Sequence, residues 1–189
     1  MSLIQNLSKD QQLVINQLSK FRQVSYDRVT GLVESIKADW LEANPDYHPL
    51  DWHYDTNEVN SQRLPGQLLP LQFSHTVIDQ IYDNRHIRVS VGVREADTRV
   101  GIHVHESGGT TFVIDGDGVI TDFVEGYADT FKPQGHNSQG HYYYMPPNLP
   151  MSAANLSNQP VVLMDIFVTP IGSPPITIIE PGYPGYAPI

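Results

Sequence analysis

The most regular pattern in the chain is an alternation of aliphatic and polar residues between positions 86 and 94. The aliphatic positions are Ile87, Val89, Val91 and Val93, and the polar positions are His86, Arg88, Ser90, Gly92 and Arg94. Successive side chains of a β-strand point to opposite faces, so this alternation predicts a strand with one aliphatic face and one polar, basic face. It does not decide which face points into the protein.

Shorter strand-like segments follow from residue 71 onward, and the turns between them are rich in Gly, Pro, Asn and Ser. We expect strands at about 100–106, 110–115, 118–125, 141–146 and 161–168, with a polar loop at 126–140. Many short strands with regular turns are typical of an antiparallel sandwich or barrel. The sequence therefore predicts an all-β core.

The first 43 residues have a helical period instead. Ser8 and Gln11 fit a capping box at the start of one helix, and apolar residues three or four positions apart indicate a second helix. These residues are Val29, Leu32, Val33, Ile36 and Trp40. Pro45 ends the pattern, because the residue before a proline is pushed out of the helical region. We interpret the helices as a cover on the barrel or on a partner subunit; a separate binding function is the alternative.

The chain ends in a segment rich in proline and glycine. Residues 170–189 contain six prolines and three glycines, which exclude a regular helix and favour an extended arm lying on the barrel or on a neighbour. We therefore divide the chain into a helical extension and loop (1–70), a barrel (71–170) and a C-terminal arm (171–189).

Composition excludes several classes of function. A net charge of −10 argues against nucleic acid as a partner and against attraction to anionic lipid. No apolar stretch approaches the ~20 residues of a membrane span, and no signal peptide is evident at the start. The absence of Cys excludes disulfides and thiolate chemistry. We expect a cytoplasmic protein.

The chemistry of the chain centres on the segment 100–118, which contains His103 and His105. Residues two apart in a strand share a face, so both imidazoles point into one space, as two neighbouring metal ligands must. Residues 107–109 predict a turn, and 110–115 the returning strand of a hairpin. The alternative is a polar pocket lined by two histidines without a metal.

These residues resemble the first motif of the cupin superfamily, Gly-x5-His-x-His-x3,4-Glu-x6-Gly. The segment from Gly140 to Asn155 is similar to the second motif, Gly-x5-Pro-x-Gly-x2-His-x3-Asn. The resemblance covers about residues 73–170. Four family positions differ from the motifs in this chain: Asp97 and Asn148 replace glycines, Gly109 replaces the Glu ligand, and Met151 replaces the third His ligand.

The resemblance implies an antiparallel jelly-roll β-barrel with the helices as an N-terminal extension. It also implies a small organic molecule in the barrel and a divalent metal ion (Fe, Mn, Ni, Cu or Zn) at His103 and His105. The activities it suggests are dioxygenase-like oxidation and isomerase or lyase chemistry. The alternatives are a metal-free binding or sensing module and a structural dimer. We expect a homodimer, with the helices and the arm as its interface.

A third metal ligand is needed beyond the histidine pair. His141 is our first choice; the other candidates are His75, His86 and the loop residue His136. We interpret Met151 as part of the pocket wall, although a thioether suits Cu(I). Glu106 follows His105 directly and should face the other way, and Thr110 and Thr111 bring hydroxyls instead of a carboxylate. Metal affinity should fall below about pH 6.5, where imidazole is protonated.

Three further residues are candidates for catalysis. Tyr142 and Tyr144 share one face of a predicted strand, with Tyr143 on the other, and at least one of these tyrosines should line the pocket. Arg88, together with Arg94, would bind a carboxylate substrate if the polar face of its strand points inward. If the aliphatic face points inward, both arginines are surface charges.

Overall fold

The computed structural model describes residues 9–127 and 142–189, with side chains from residue 25 onward. One helix, α1 (Lys9–Ala43), precedes the strands. The prediction of two separate helices is wrong, because residues 22–28, between the two apolar stripes, contain neither Gly nor Pro and the helix continues through them. Ser8 of the predicted capping box lies outside the described residues. Asn44 follows the helix and donates a side-chain hydrogen bond to the Trp40 carbonyl (2.8 Å).

The described part of the chain forms eleven strands, most of them short. They are β1 (Gln67–Leu68), β2 (Gln72–Tyr82), β3 (Arg85–Arg94), β4 (Thr98–Arg99), β5 (His103–Val104), β6 (Gly109–Gly116), β7 (Ile120–Val124), β8 (Tyr142–Met145), β9 (Met151–Asn155), β10 (Val161–Pro170) and β11 (Thr177–Ile178). β9 was not predicted as a strand, and β11 adds a strand within the C-terminal arm.

The strands form two sheets. One is antiparallel throughout, in the order β2-β3-β10-β6-β8. The other has the order β1-β4-β9-β5-β11, with β7 also paired to β9, and only β1 and β4 run parallel. Both sheets contribute to one core, for example Leu163 and Phe167 from the first and Ile120 and Val124 from the second. The fold is an antiparallel jelly-roll with an N-terminal helix, as predicted.

The alternation in β3 separates the outside of the first sheet from the inside. Val89 packs with Ile166 of β10 and Val33 of α1, so the aliphatic face is covered by the helix. The polar face points into the barrel: Gly92 and Arg94 lie opposite Leu163 and Val161, which belong to the core. The aliphatic face of β3 therefore lies under α1 on the outside of the sheet, although its composition is the one expected of a barrel interior.

Candidate functional site

His103 and His105 lie in and directly after β5, between β9 and β11. Both side chains are buried, with 4% and 2% of their surface exposed. Their Nε2 atoms are 3.0 Å apart and the two rings are nearly perpendicular, at 78°. The i, i+2 spacing thus brings the two imidazoles together inside the barrel.

The opposite side of each ring is held by the main chain. His103 Nδ1 donates to the carbonyl of Gly101 and His105 Nδ1 to the carbonyl of Pro175, both at 2.7 Å. A carbonyl only accepts hydrogen bonds, so the proton of each neutral ring is on Nδ1 and the Nε2 lone pairs face each other. A backbone carbonyl on the second ring nitrogen is a common outer-shell partner of metal-binding histidines.

Burial keeps both rings neutral. It lowers the pKa of His103 to about 3, with a further decrease from His105 and from the Arg94 charge, and it lowers the pKa of His105 to about 4. Protons therefore compete for these nitrogens at a lower pH than the 6.5 of an exposed histidine. Two facing lone pairs repel unless a cation lies between them.

The C-terminal arm fixes the backbone that carries the pair. Ile178 pairs with His103 across β11 and β5. The buried carboxylate of Glu180 accepts hydrogen bonds from the guanidinium of Arg99 (2.6 and 2.7 Å) and from the amide of Ile102 (2.8 Å). Tyr183 packs so closely on Gly101 that an added Cβ there would lie 2.5 Å from the ring. Sequence analysis missed this anchor, although Glu180 is the only charged residue in the arm.

A small cavity of about 10 Å³, room for about one water molecule, lies beside His103. Its lining is His103, Asp122, Val124, Tyr143, Tyr144, Met145, Met151, Ser152 and Ala153. Burial raises the pKa of Tyr143 well above its ordinary value, so its hydroxyl keeps its proton. Asp165 lies deeper in the barrel, where burial raises its pKa and Thr111 donates a 2.6 Å hydrogen bond to it.

The two motif-like segments, far apart in the sequence, meet at this cavity. His103 of the first lies directly opposite Met151 of the second across β5 and β9. Asn155, which ends the second motif, donates to the carbonyls of Arg94 and Gln159 and so closes the turn between β9 and β10. The fold that brings the two segments together is the antiparallel jelly-roll described above.

Comparison with known proteins gives structural neighbours only. No sequence family and no curated protein matches the chain. A DMSP lyase from Ruegeria pomeroyi DSS-3 is 12% identical with a TM-score of 0.43; the match covers 57% of this chain and 51% of the lyase. An uncharacterised double-stranded β-helix protein from Klebsiella pneumoniae subsp. pneumoniae MGH 78578 is 18% identical (TM-score 0.41; 60% and 90% covered). An RmlC-like cupin from Methanocaldococcus jannaschii is 14% identical (TM-score 0.38; 58% and 92% covered).

This chain spans about half the length of that lyase. At such identities and TM-scores, the neighbours give no information on substrate or reaction. The function has to be inferred from the side chains inside this barrel.

The cupin carboxylate position is occupied by apolar groups. An added Cβ at Gly109 would lie 2.6 Å from the Phe167 ring and 2.8 Å from the Met145 methyl group. Phe167 in turn stacks on His105, with ring centroids 5.2 Å apart. A glutamate at position 109 does not fit this packing. Two of the four cupin ligands are therefore present, and they are accompanied by Phe167, Met145 and Met151.

The third-ligand candidates do not join the pair in the described structure. His141 and His136 lie outside the described residues. His75 is exposed on β2, and His86 bonds to Asp79 at the far end of β3. Among the side chains that the structure describes, those of residues 25–127 and 142–189, no three His, Asp or Glu converge on a metal position. Glu106 is exposed, as expected, and lies 3.4 Å from the Thr177 hydroxyl.

The two tyrosine candidates share the outer face of β8. Tyr142 is 47% exposed and packs on Phe112, and Tyr144 packs against Trp40 of α1 while also bordering the cavity. The tyrosine that points inward is Tyr143, which was not among our catalytic candidates. The reason is that α1 covers the face shared by Tyr144 and Phe112.

The two arginines are on the inward face of β3, but neither lines the cavity. Arg88 is half-buried and pairs with Asp79 (3.2 Å) at the open end of the strand. Arg94 is buried, donates to the Leu69 carbonyl and interacts with Tyr183, and burial lowers its pKa. The expected binding of a substrate carboxylate by these residues has no support in the cavity lining.

No helix in the described ranges combines the length and the apolar character needed to cross a membrane.

Proposed function

We propose that this protein is a cupin that holds a metal ion between His103 and His105 and binds a small organic molecule in the adjoining cavity. The observation that carries the proposal is the arrangement of the ring nitrogens. Both Nδ1 atoms are engaged by carbonyls, which leaves two Nε2 lone pairs 3.0 Å apart. Two imidazoles at about 2.0–2.1 Å from one metal have their nitrogens about 2.9–3.3 Å apart at tetrahedral or right angles.

The residues present fit part of a metal site. His103 and His105 would provide two nitrogen ligands already oriented by their outer-shell carbonyls, and His141 stays our proposed third ligand. A bound metal would polarise or activate an oxygen atom of the substrate, or bind O2. Dioxygenase-like oxidation and isomerase or lyase chemistry are the reaction classes that we propose for such a site.

The cavity limits the kind of molecule that we propose as the ligand. Its polar groups are the protonated hydroxyl of Tyr143, the buried carboxyl of Asp122 and the hydroxyl of Ser152, and the rest of the lining is mainly apolar. At about 10 Å³ the cavity admits about one water molecule as it stands, so a compact organic ligand with one or two oxygen or nitrogen atoms would have to displace the side chains around it.

The deciding experiment is elemental analysis of protein purified without a metal-affinity step, before and after incubation with Fe, Mn, Ni, Cu and Zn. We expect wild type to retain about one metal per chain and His103→Ala to retain none. His86→Ala is the matched control, because His86 lies far from the pair. Equal metal content in wild type and His103→Ala would contradict the proposal.

A metal-free binding module is the second candidate. It is favoured by the replacement of two cupin ligands by Gly109 and Met151 and by the tight packing of Phe167 on His105. In that case the two neutral rings would line the pocket without a metal between them. Ligand binding unaffected by a strong chelator would favour this candidate.

We also propose that the protein is a homodimer. β2 is the edge of its sheet and exposes three large apolar side chains: Phe73 (82%), Val77 (56%) and Ile81 (65%). A row of apolar side chains on an edge strand is typical of an interaction surface. Light scattering at tens of micromolar should give the mass of two chains, and the mass of one chain would contradict this proposal.

A further inference from the structure

The metal that this site selects follows from what replaces the missing cupin ligands. We infer that His103 and His105, together with the thioethers of Met145 and Met151, form a Cu(I) site. This inference rests on the proposed metal site and specifies its ion.

The two methionines surround the imidazole pair. Met151 lies directly opposite His103 in the antiparallel ladder, and side chains in that relation project to the same side of the sheet. Met145 reaches the same region from β8: its methyl group touches the position that a Gly109 Cβ would occupy, next to the ring that stacks on His105. Both methionines and His103 line one cavity. The flexible thioether side chain can turn its sulfur towards a metal without moving the strands.

The donor set is soft and uncharged. Carboxylates favour Mg, Ca and Mn, whereas thioether sulfur favours Cu(I), and neutral imidazole accepts both copper and the later divalent metals. Glu106, the acidic residue nearest the pair in sequence, is exposed and lies against Thr177. The position of the cupin carboxylate is filled by Phe167 and Met145.

Burial favours the lower charge. The cost of moving an ion from water to a low-dielectric interior grows with the square of its charge, so a divalent cation costs about four times as much to bury as a monovalent one. Both histidines are at most 4% exposed, the two thioethers are uncharged, and Asp122 is the one carboxylate among the described residues that line the cavity. A monovalent soft cation is therefore the better match for the pair.

The test compares Cu(I) with Zn(II) and Co(II) in variants that keep side-chain volume. Cu(I) affinity is measured under anaerobic reducing conditions by competition with bicinchoninate, and Zn(II) and Co(II) affinities by competition with a divalent chelator. The variants are Met145→Leu and Met151→Leu; Met164→Leu, on the outer face of β10, is the matched control. Met151→His supplies the ligand that the cupin motif has at this position.

We expect each of the two inner Leu variants to weaken Cu(I) binding at least tenfold and to leave Zn(II) and Co(II) affinity within threefold of wild type. Met164→Leu should leave all affinities unchanged, and Met151→His should raise Zn(II) and Co(II) affinity at least tenfold. X-ray absorption of the Cu(I) protein should show sulfur scatterers that are lost in the Met145→Leu/Met151→Leu double variant.

Two results would overturn the inference, and only the second would also overturn the histidine site. Unchanged Cu(I) affinity in both Leu variants, or copper without sulfur scatterers, would show that the methionines are only wall residues, while the histidine site would stand. Wild type that binds no more of any metal than His103→Ala would overturn the histidine site as well. Unfolding midpoints of all variants, measured in parallel, exclude loss of fold as the cause.

Discussion

The two sides of the histidine pair have different relations to the fold. On the Nδ1 side, each ring is anchored to a backbone carbonyl, and the backbone itself is held by β11 and by the buried Arg99–Glu180 ion pair. On the Nε2 side, the rings face each other, His103 borders a small cavity that Met151 also lines, and Phe167 packs between His105 and Gly109.

The difference indicates which contacts of the pair are tied to the architecture. Two contacts on the anchored side join the segment around β5 to the C-terminal arm: the hydrogen bond from His105 to Pro175 and the one from Ile102 to Glu180. The residues at the two changed motif positions, Gly109 and Met151, pack against apolar side chains instead. The hydrogen bonds that anchor the rings do not involve these two residues.

Removal of the Glu180 carboxylate should have the largest effect on the anchored side. Glu180→Ala leaves Arg99 buried without a partner and is expected to cost about 3–5 kcal/mol in the free energy of unfolding. Urea denaturation measures this loss. The paired replacement Arg99→Leu/Glu180→Leu should recover a large part of it, because no charge is then left unpaired. A single variant within 1 kcal/mol of wild type would contradict the role of this ion pair.

Acid should affect both sides through the histidines. Their pKa values in the folded protein, about 3 and about 4, lie below the 6.5 of an unfolded chain, so the unfolded state binds protons first as the pH falls. Metal-free protein is expected to lose about 1.4 kcal/mol of stability per pH unit and per histidine between pH 6.5 and about 4.

Denaturation curves at pH 7.5, 6 and 5 measure this slope. His103→Gln, which cannot be protonated in this range, should reduce it by about half. The pKa of Asp165 is raised, so its protonation stabilises the folded state as the pH falls, opposite to the effect of the histidines. This contribution is the same in wild type and in His103→Gln, so it does not alter the comparison. An equal slope in wild type and His103→Gln would contradict the burial of a neutral pair.

A single methyl group added at Gly109 should be enough to disturb the packing beside His105. Gly109→Ala places a Cβ 2.6–2.8 Å from Phe167 and Met145 and is expected to destabilise the protein by about 1–3 kcal/mol. Met145→Ala in the Gly109→Ala background should relieve part of the strain, because it removes one of the two clashing groups. Thermal unfolding of the three variants gives the comparison, and a neutral Gly109→Ala would mean that this packing is loose.

The sequence predicted β3, β6, β7, β8 and β10 and the convergence of His103 and His105, because these follow from the local period of two, whereas β9 and β11 were not predicted. It did not predict which face of β3 points inward, since alternation is symmetric and the decision comes from Val33 on a distant helix. The same helix covers the face of β8 that carries Tyr144, so Tyr143, and not Tyr144, points into the barrel. The carbonyl that holds His105 was also beyond sequence reasoning, because Pro175 is 70 positions away and only strand register brings it there.

The pairing of β5 with β11 has a consequence for biosynthesis. Pro175 leaves the ribosome 70 residues after His105, which at about 5–20 residues per second is a delay of roughly 4–14 seconds. During that time the two rings lack one of their carbonyl partners, the amide of Ile102 lacks the Glu180 carboxylate, and β5 lacks its neighbour on one edge. The central strand of the first sheet, β10, is complete only at Pro170, five residues before Pro175, so for most of this interval the chain has β2, β3 and β6 without the strand that joins them. Anchoring of both histidine rings is therefore an event that follows synthesis of the arm.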